Sequence, residues 1–411
     1  MEKNINDNLT IRRLSLVEFS AMMAYMISLV ALSIDAMLPS LHTIGVELGV
    51  QSENAPQFII AALFLGLTIG QLAYGPISDT TGRRPAIFFG LGLFVLGCLM
   101  SMTARSFEVM LIGRFLQGLG VAGPRIVSMA VVRDLYEGRA MAKVASFIMS
   151  FFIIVPAIAP LMGQAIADHW SWRAVYLVLL AMAVVVAVWY GTRQGETLHA
   201  AYRRKLNWER LLSGYKEALF TRVTSGYALA AGIVYGAFIA YLMSSPQLFD
   251  DVFGITHNFP YYFGALAICI GSASFVNARL VMRLGMRKLC TRALLVKAVW
   301  SGGFFILALF DHGHLPLVVF MVWAGVSFFL LGILFGNVNA IAMEPVGHIA
   351  GFGSAVVGSV SGFVSLGIGT LIGHFYNETV FPLIGGFAVL APLSLLVMHW
   401  ADKGHAALQK V

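Results

Sequence analysis

Long apolar stretches, each close to the length of a bilayer crossing, alternate along this chain with short polar breaks. A membrane-spanning helix needs about 20 predominantly apolar residues. Runs of that kind lie near residues 14–38, 56–75, 85–104, 107–131, 142–166, 171–190, 222–243, 259–281, 289–310, 315–338, 351–373 and 380–400. The pattern predicts an all-α polytopic membrane protein with twelve transmembrane helices. Only Asp168-His169-Trp170-Ser171 parts the fifth run from the sixth, so eleven helices is the alternative. Met1 to Arg13 is polar, and the first apolar run is long enough to span rather than be cleaved, so no signal peptide is expected.

Charge sets the orientation. With the N-terminus inside, the outer loops hold only Arg105 and Arg173 of the 27 Lys and Arg, and Arg114, Arg125 and Lys297 fall within spans. The others gather at the opposite ends and loops. Acids such as Glu47, Glu53, Asp250, Asp251, Asp311 and Glu378 mark the outer side. This is the positive-inside pattern, and it predicts a multi-pass bacterial inner-membrane protein with both termini cytoplasmic. It also accounts for the net charge of +7 as a topology device, so no nucleic-acid partner is expected. A chain that is 59% hydrophobic and 11% charged, with mean hydropathy +0.82, lies far from soluble domains, where about 25% of residues are charged. Cys98, Cys269 and Cys290 are widely spaced and predict no disulfide framework. His312 and His314 lack a third ligand, so no metal site is expected. No cofactor is expected, nor is enzymatic activity: the sequence has neither a catalytic constellation nor a soluble domain.

The longest inner segment, 191–221, carries Trp208, Leu211 and Leu212 at helical spacing among basic residues. It predicts a linker with a short amphipathic helix on the inner leaflet. Two six-helix bundles then follow, 1–190 and 222–411. A weak internal repeat supports the division: Gly82-Arg83-Arg84 follows the second span, and Gly285-Met286-Arg287-Lys288 follows the eighth. Paired six-span halves around a midplane site are a common transporter plan.

The loop after the second span reads Gly75-Pro76-Ile77-Ser78-Asp79-Thr80-Thr81-Gly82-Arg83-Arg84-Pro85. Gly82 permits a tight turn, Asp79 caps and pairs, and the arginines face an anionic leaflet. This stretch resembles motif A of the major facilitator superfamily. Arg114-Phe115-Leu116-Gln117-Gly118 is similar to that superfamily's motif B, and Pro156 to Gly163 to its antiporter motif. With Ser33 to Pro39, Val132 to Tyr136, Tyr241 to Pro246 and Ala342 to Ala355 added, residues of about 30 to 375 resemble the Bcr/CflA group of drug:proton antiporters. The chain departs from the pattern at Thr80, where motif A is usually basic, at Met282, which stands where the first copy has Asp79, and at Ser361, where the group often has Gln.

The resemblance implies two pseudo-symmetric six-helix bundles in the major facilitator fold. It implies a conformational latch of Gly75, Asp79, Gly82, Arg83, Arg84 and Asp134, which holds the outward-open state. It assigns proton coupling to Asp35 and Arg114, and the antiporter motif to Pro156, Pro160 and Gly163. Physical chemistry bears on the same residues. A charged side chain at mid-membrane costs about 2.5–3.5 kcal/mol or more, and Asp35 and Arg114 both fall in the outer halves of their spans. A carboxylate beside an arginine can exchange its proton as water or substrate competes for the pair. Arg125 lies about 20° around and roughly 16 Å along the helix from Arg114, which predicts a shared face toward the cavity. No acid is at an obvious matching depth, so an anionic group on the substrate would satisfy Arg125; snorkelling to the inner face is the alternative. Tyr25, Phe151, Tyr235, Tyr241, Asn337 and Asn339 lie on cavity-prone helices as substrate-binding candidates or packing residues. Lys297, on a peripheral span, is expected to snorkel inward.

These readings predict a monomeric, proton-coupled secondary transporter, with a small-molecule substrate, protons and the lipid bilayer as its partners. It would export a drug, siderophore or metabolite by alternating access. The alternative is a proton-coupled symporter importing a small organic anion.

Overall fold

The computed structural model describes residues 14–203 and 207–408, with the side chains of Met149, Phe152, Ile153, Arg210 and residues 404–408 outside that description. Among the described residues there are fourteen α-helices and no strand. In chain order they are α1 (Leu16–Asp35), α2 (Leu41–Glu47), α3 (Phe58–Thr81), α4 (Arg83–Met102), α5 (Phe107–Leu135), α6 (Gly138–His169) and α7 (Trp172–Arg193). Then follow α8 (Trp208–Phe220), α9 (Arg222–Asp251), α10 (Phe259–Leu284), α11 (Met286–Phe310), α12 (Leu317–Met343), α13 (Ala350–His374) and α14 (Phe381–Leu408). All but the short α2 and α8 are long enough to span, which settles twelve over eleven. The break between α6 and α7 falls at Trp170 and Ser171. Several helices outrun their apolar runs. The fifth starts at Gly138 rather than near 142, and the seventh ends at Asp251 rather than near 243. Helical backbone hydrogen bonding continues past the apolar runs into polar residues, where hydropathy no longer reports it.

The chain divides into two compact units. One runs to Val50 and resumes over Ala62–Leu211; the other takes Gln51–Ala61 and Leu212 onward. In the first, α4 and α5 pack backbone to backbone through glycines. A Cβ on Gly120 would lie 2.3 Å from the Phe94 nitrogen, and one on Gly97 2.6 Å from the Gly113 carbonyl. Association inside a bilayer relies on such close approach, because lipid tails offer no hydrophobic drive between helices. In the second, α9 packs on α13 and α14, and α10 on α12. The segment 51–61 is fastened there by polar bonds: Asn54 Nδ2 donates to the His374 and Tyr376 carbonyls, and Gln57 Nε2 to Gln247 Oε1 at 2.7 Å.

The linker helix α8 forms where the sequence places it, and it docks on the second unit. Ala218 is buried with Val346 and Val356, and the Tyr215 ring meets Phe352 edge-on at 5.2 Å. Burial there pushes the Tyr215 hydroxyl up to about 12. Trp208, Leu212 and Leu219 stay exposed beside that face.

Lys297 departs from expectation. It turns into the bundle rather than snorkelling, with 2% of its surface exposed and Nζ 4.4 Å from the centre of the Phe387 ring. The residue lies on the face by which α11 packs on α12 and α14. An aromatic face there offers the ammonium a partial substitute for water.

Candidate functional site

The C-terminal end of α1 is the first cluster of interest. Asp35 closes the helix and is 5% exposed. The covering element is α6, which passes through Pro156 and Pro160 without breaking. Gly163 makes the closeness possible: a Cβ there would fall 1.9 Å from the carbonyl oxygen of Ala36, the residue after Asp35. Gly163 is therefore the surface against which the Asp35 end of α1 packs. Any larger residue would push that end away.

Arg114 is completely buried. The expected pair with Asp35 is absent from the described contacts. Arg114 NH1 donates to Gln117 Oε1 at 2.7 Å, NH2 donates to the Ser33 carbonyl at 2.9 Å, and the guanidinium lies 5.9 Å from the Tyr176 ring centre. Ser33 is two residues before Asp35, so the arginine reaches the right turn of α1 and binds its backbone. Asp35 itself makes no hydrogen bond or ion pair with any described residue. Arg114 and Arg125, for which the sequence predicts a shared face, differ in burial. Arg114 is enclosed among α1, α5 and α7, whereas Arg125 is only partly buried and has no hydrogen-bond or ion-pair partner among the described residues. Pro124 lies inside α5 between the two. Tyr25 on α1 is partly buried, and Phe151 on α6 is exposed.

In the second unit two candidates meet. Asn339 Nδ2 donates to the Tyr235 hydroxyl at 3.2 Å, and that hydroxyl donates to the Phe335 carbonyl at 2.8 Å. The Tyr235 and Phe335 rings are 4.6 Å apart. The other two make contacts within the bundle. Asn337 Nδ2 donates to Asn277 Oδ1 at 2.6 Å, tying α12 to α10. Tyr241 is 1% exposed, packed between Phe263 and Phe328.

The turn between α3 and α4 in the first unit holds the second cluster. Gly82 sits at φ +108°, a conformation that side chains other than hydrogen resist. The turn it allows sends α4 back so that Arg83 reaches three partners. Arg83 NH1 bonds Asp79 Oδ1 at 2.5 Å and Ser78 Oγ at 2.9 Å, and Nε bonds Asp134 Oδ2 at 2.9 Å. Arg84 NH2 donates to the Gly191 carbonyl at 2.6 Å, and Gly75 has open space around it. Thr80, where motif A is usually basic, turns its hydroxyl back onto the Ile77 carbonyl of its own helix.

Sequence reasoning missed Glu196 and Thr197. The Glu196 carboxylate accepts from the backbone nitrogens of Arg83 at 2.9 Å and Arg84 at 3.0 Å, so it caps α4 from more than a hundred residues away. An acid at a helix N-terminus satisfies orphan N–H groups and the dipole together. Thr197 Oγ1 donates to Asp134 Oδ2 at 3.1 Å. A lone acid just past a span was the only available signal.

The sequence profile of the Major Facilitator Superfamily matches residues 14–370. A bicyclomycin resistance protein homolog of Haemophilus influenzae is 27% identical over 89% of this chain and 92% of its own length. Multidrug resistance protein D of Escherichia coli (strain K12) is 28% identical over 78% of this chain and 79% of its own. The solved xylose transporter XylE from E. coli, in a partially occluded inward-open conformation, aligns with a TM-score of 0.73 at 14% identity, over 93% of this chain and 97% of that one. At that identity the likeness speaks to the fold.

Proposed function

We propose that this chain, which belongs to the major facilitator superfamily, exports a small organic molecule across the inner membrane in exchange for protons. Membership makes it a multi-pass membrane transporter and not an enzyme. Outward, drug-directed transport is favoured by relatives named for bicyclomycin and multidrug resistance. The positive-inside pattern favours cytoplasmic termini.

The observation that carries proton coupling is Asp35: a buried carboxylate on α1 without an ionic partner among the described residues. An unpaired buried charge is costly. The protonation of such a group therefore follows whatever enters beside it, be it water, a proton or substrate. Arg114, fixed to the Ser33 carbonyl, holds a positive charge near that turn and biases the exchange. Within the second unit, the bonded pair Tyr235 and Asn339 offers polar and aromatic contacts for a drug-sized ligand; Tyr25 and Phe151 are separate candidates within the first.

Arg125, partly buried and unpaired, favours the second reading, transport of an organic anion. Wild-type proteoliposomes with an imposed pH gradient decide the direction. Addition of substrate should drive protons opposite to it; co-movement would establish the symporter. In either case Arg125→Ala should weaken an anionic substrate by about 1.5–3 kcal/mol, the size of a hydrogen bond to a charged group, and leave a matched neutral compound nearly unchanged. Equal small effects on both, measured by calorimetry, would show a snorkelling arginine.

A further inference from the structure

The inner half of α10 carries a stripe that no role above uses. Phe275, Arg279 and Arg283 follow one another at intervals of four, with Val276 and Leu280 alongside, and together they line a concavity of about 390 Å³. Phe275 is 76% exposed, and both arginines are exposed. Neither arginine bonds or pairs with any described residue. The helix is not free to rotate the stripe inward. Asn277 accepts from Asn337, and Ala273 is buried against Gly332, where an added Cβ would come within 2.7 Å of it. No acid neutralises this end from the position matching Asp79, because Met282 stands there.

We propose that this stripe is a binding site for one anionic phospholipid of the inner leaflet, the phosphodiester on Arg279 and Arg283 and an acyl chain along Phe275 and Val276. The depth fits. Phe275 is about 13 Å from the end of α10 at Leu284 by helix rise, while the arginines occupy the last turns, at headgroup level. Guanidinium groups match phosphate oxygens in pairs, and basic pockets on the cytoplasmic side of membrane helices suit anionic headgroups. A soluble anion would use the arginines alone and leave the aromatic and aliphatic part of the concavity empty. The assignment to the inner leaflet rests on the cytoplasmic termini proposed above. The binding test does not depend on transport, direction or proton coupling.

Native mass spectrometry of the full-length protein in mild detergent tests it, with phosphatidylglycerol and phosphatidylcholine as probes. Wild type should retain one phosphatidylglycerol with about tenfold or greater preference over phosphatidylcholine, and R279Q/R283Q should lose that preference. K288Q/R292Q removes the same charge from α11 and should keep it. Loss in both double variants would mean diffuse surface charge. Equal retention of the two lipids by wild type would also overturn the site. So would competition by free glycerol phosphate at the same concentration, which would make it a soluble-anion site. If R279Q/R283Q fails to fold, a photoactivatable phosphatidylglycerol on wild type should label the peptide spanning 275–283, and labelling confined elsewhere would contradict the proposal.

Discussion

The α3–α4 turn of the first unit and the α10–α11 turn of the second solve one problem with different parts. In the first, Arg83 is the hub: its side chain is 9% exposed, and it joins the end of α3 through Asp79, the end of α5 through Asp134 and its own turn through Ser78. Glu196 then seals the start of α4. In the second, Arg287 is the hub and is 33% exposed. It joins the end of α12 through Glu344 at 2.7 Å and α14 through Asp402 at 3.2 Å, where the Tyr227 hydroxyl also donates. The end of α10 is left out, since Met282 is 85% exposed and offers no acid. The helix preceding the turn is therefore fastened in the first unit and released in the second. A buried, many-partnered hub suits a latch; a solvated clamp suits a fixed joint.

The largest expected effect is on stability. Arg83→Ala leaves two carboxylates facing each other with their cation gone and should lower unfolding stability by about 3 kcal/mol, in the range for breaking buried pairs. Arg287→Ala breaks a partly solvated pair and should cost nearer about 1 kcal/mol. Thermal unfolding of both purified variants breaks the comparison if the two losses are equal. A smaller effect concerns conformation. Asp79→Asn keeps the fold and removes one of the Arg83 ion pairs; if the cluster acts as a conformational latch, spin labels near the α3–α4 and α10–α11 turns should report a population shift worth about 1–2 kcal/mol. Glu344→Gln should leave the distance distribution unchanged. Matching shifts would make both clusters joints of the same kind.

The sequence announced what is periodic or local. Twelve apolar runs, the positive-inside bias, the α8 amphipathic pattern and the Asp79-to-Arg84 turn all depend on neighbours within a few residues. What it concealed depends on tertiary approach. Glu196 caps a helix more than a hundred residues away, and no spacing rule connects it to Arg83. Lys297 was placed by depth along its helix, but the side of α11 it occupies, against Phe387, decides its fate. Depth and angle brought Arg114 to the correct turn of α1. They could not say that its guanidinium would bind the Ser33 carbonyl and leave the Asp35 carboxylate unpaired, nor that Gly163 would press on Ala36.

That unpaired carboxylate is the centre of the account. The direct measurement is drug-dependent proton flux in proteoliposomes with an imposed pH gradient, comparing wild type with Asp35→Asn. The account predicts that the variant still binds substrate, because asparagine preserves shape and polarity, yet loses substrate-coupled proton movement. Full drug-dependent proton flux in Asp35→Asn would contradict it.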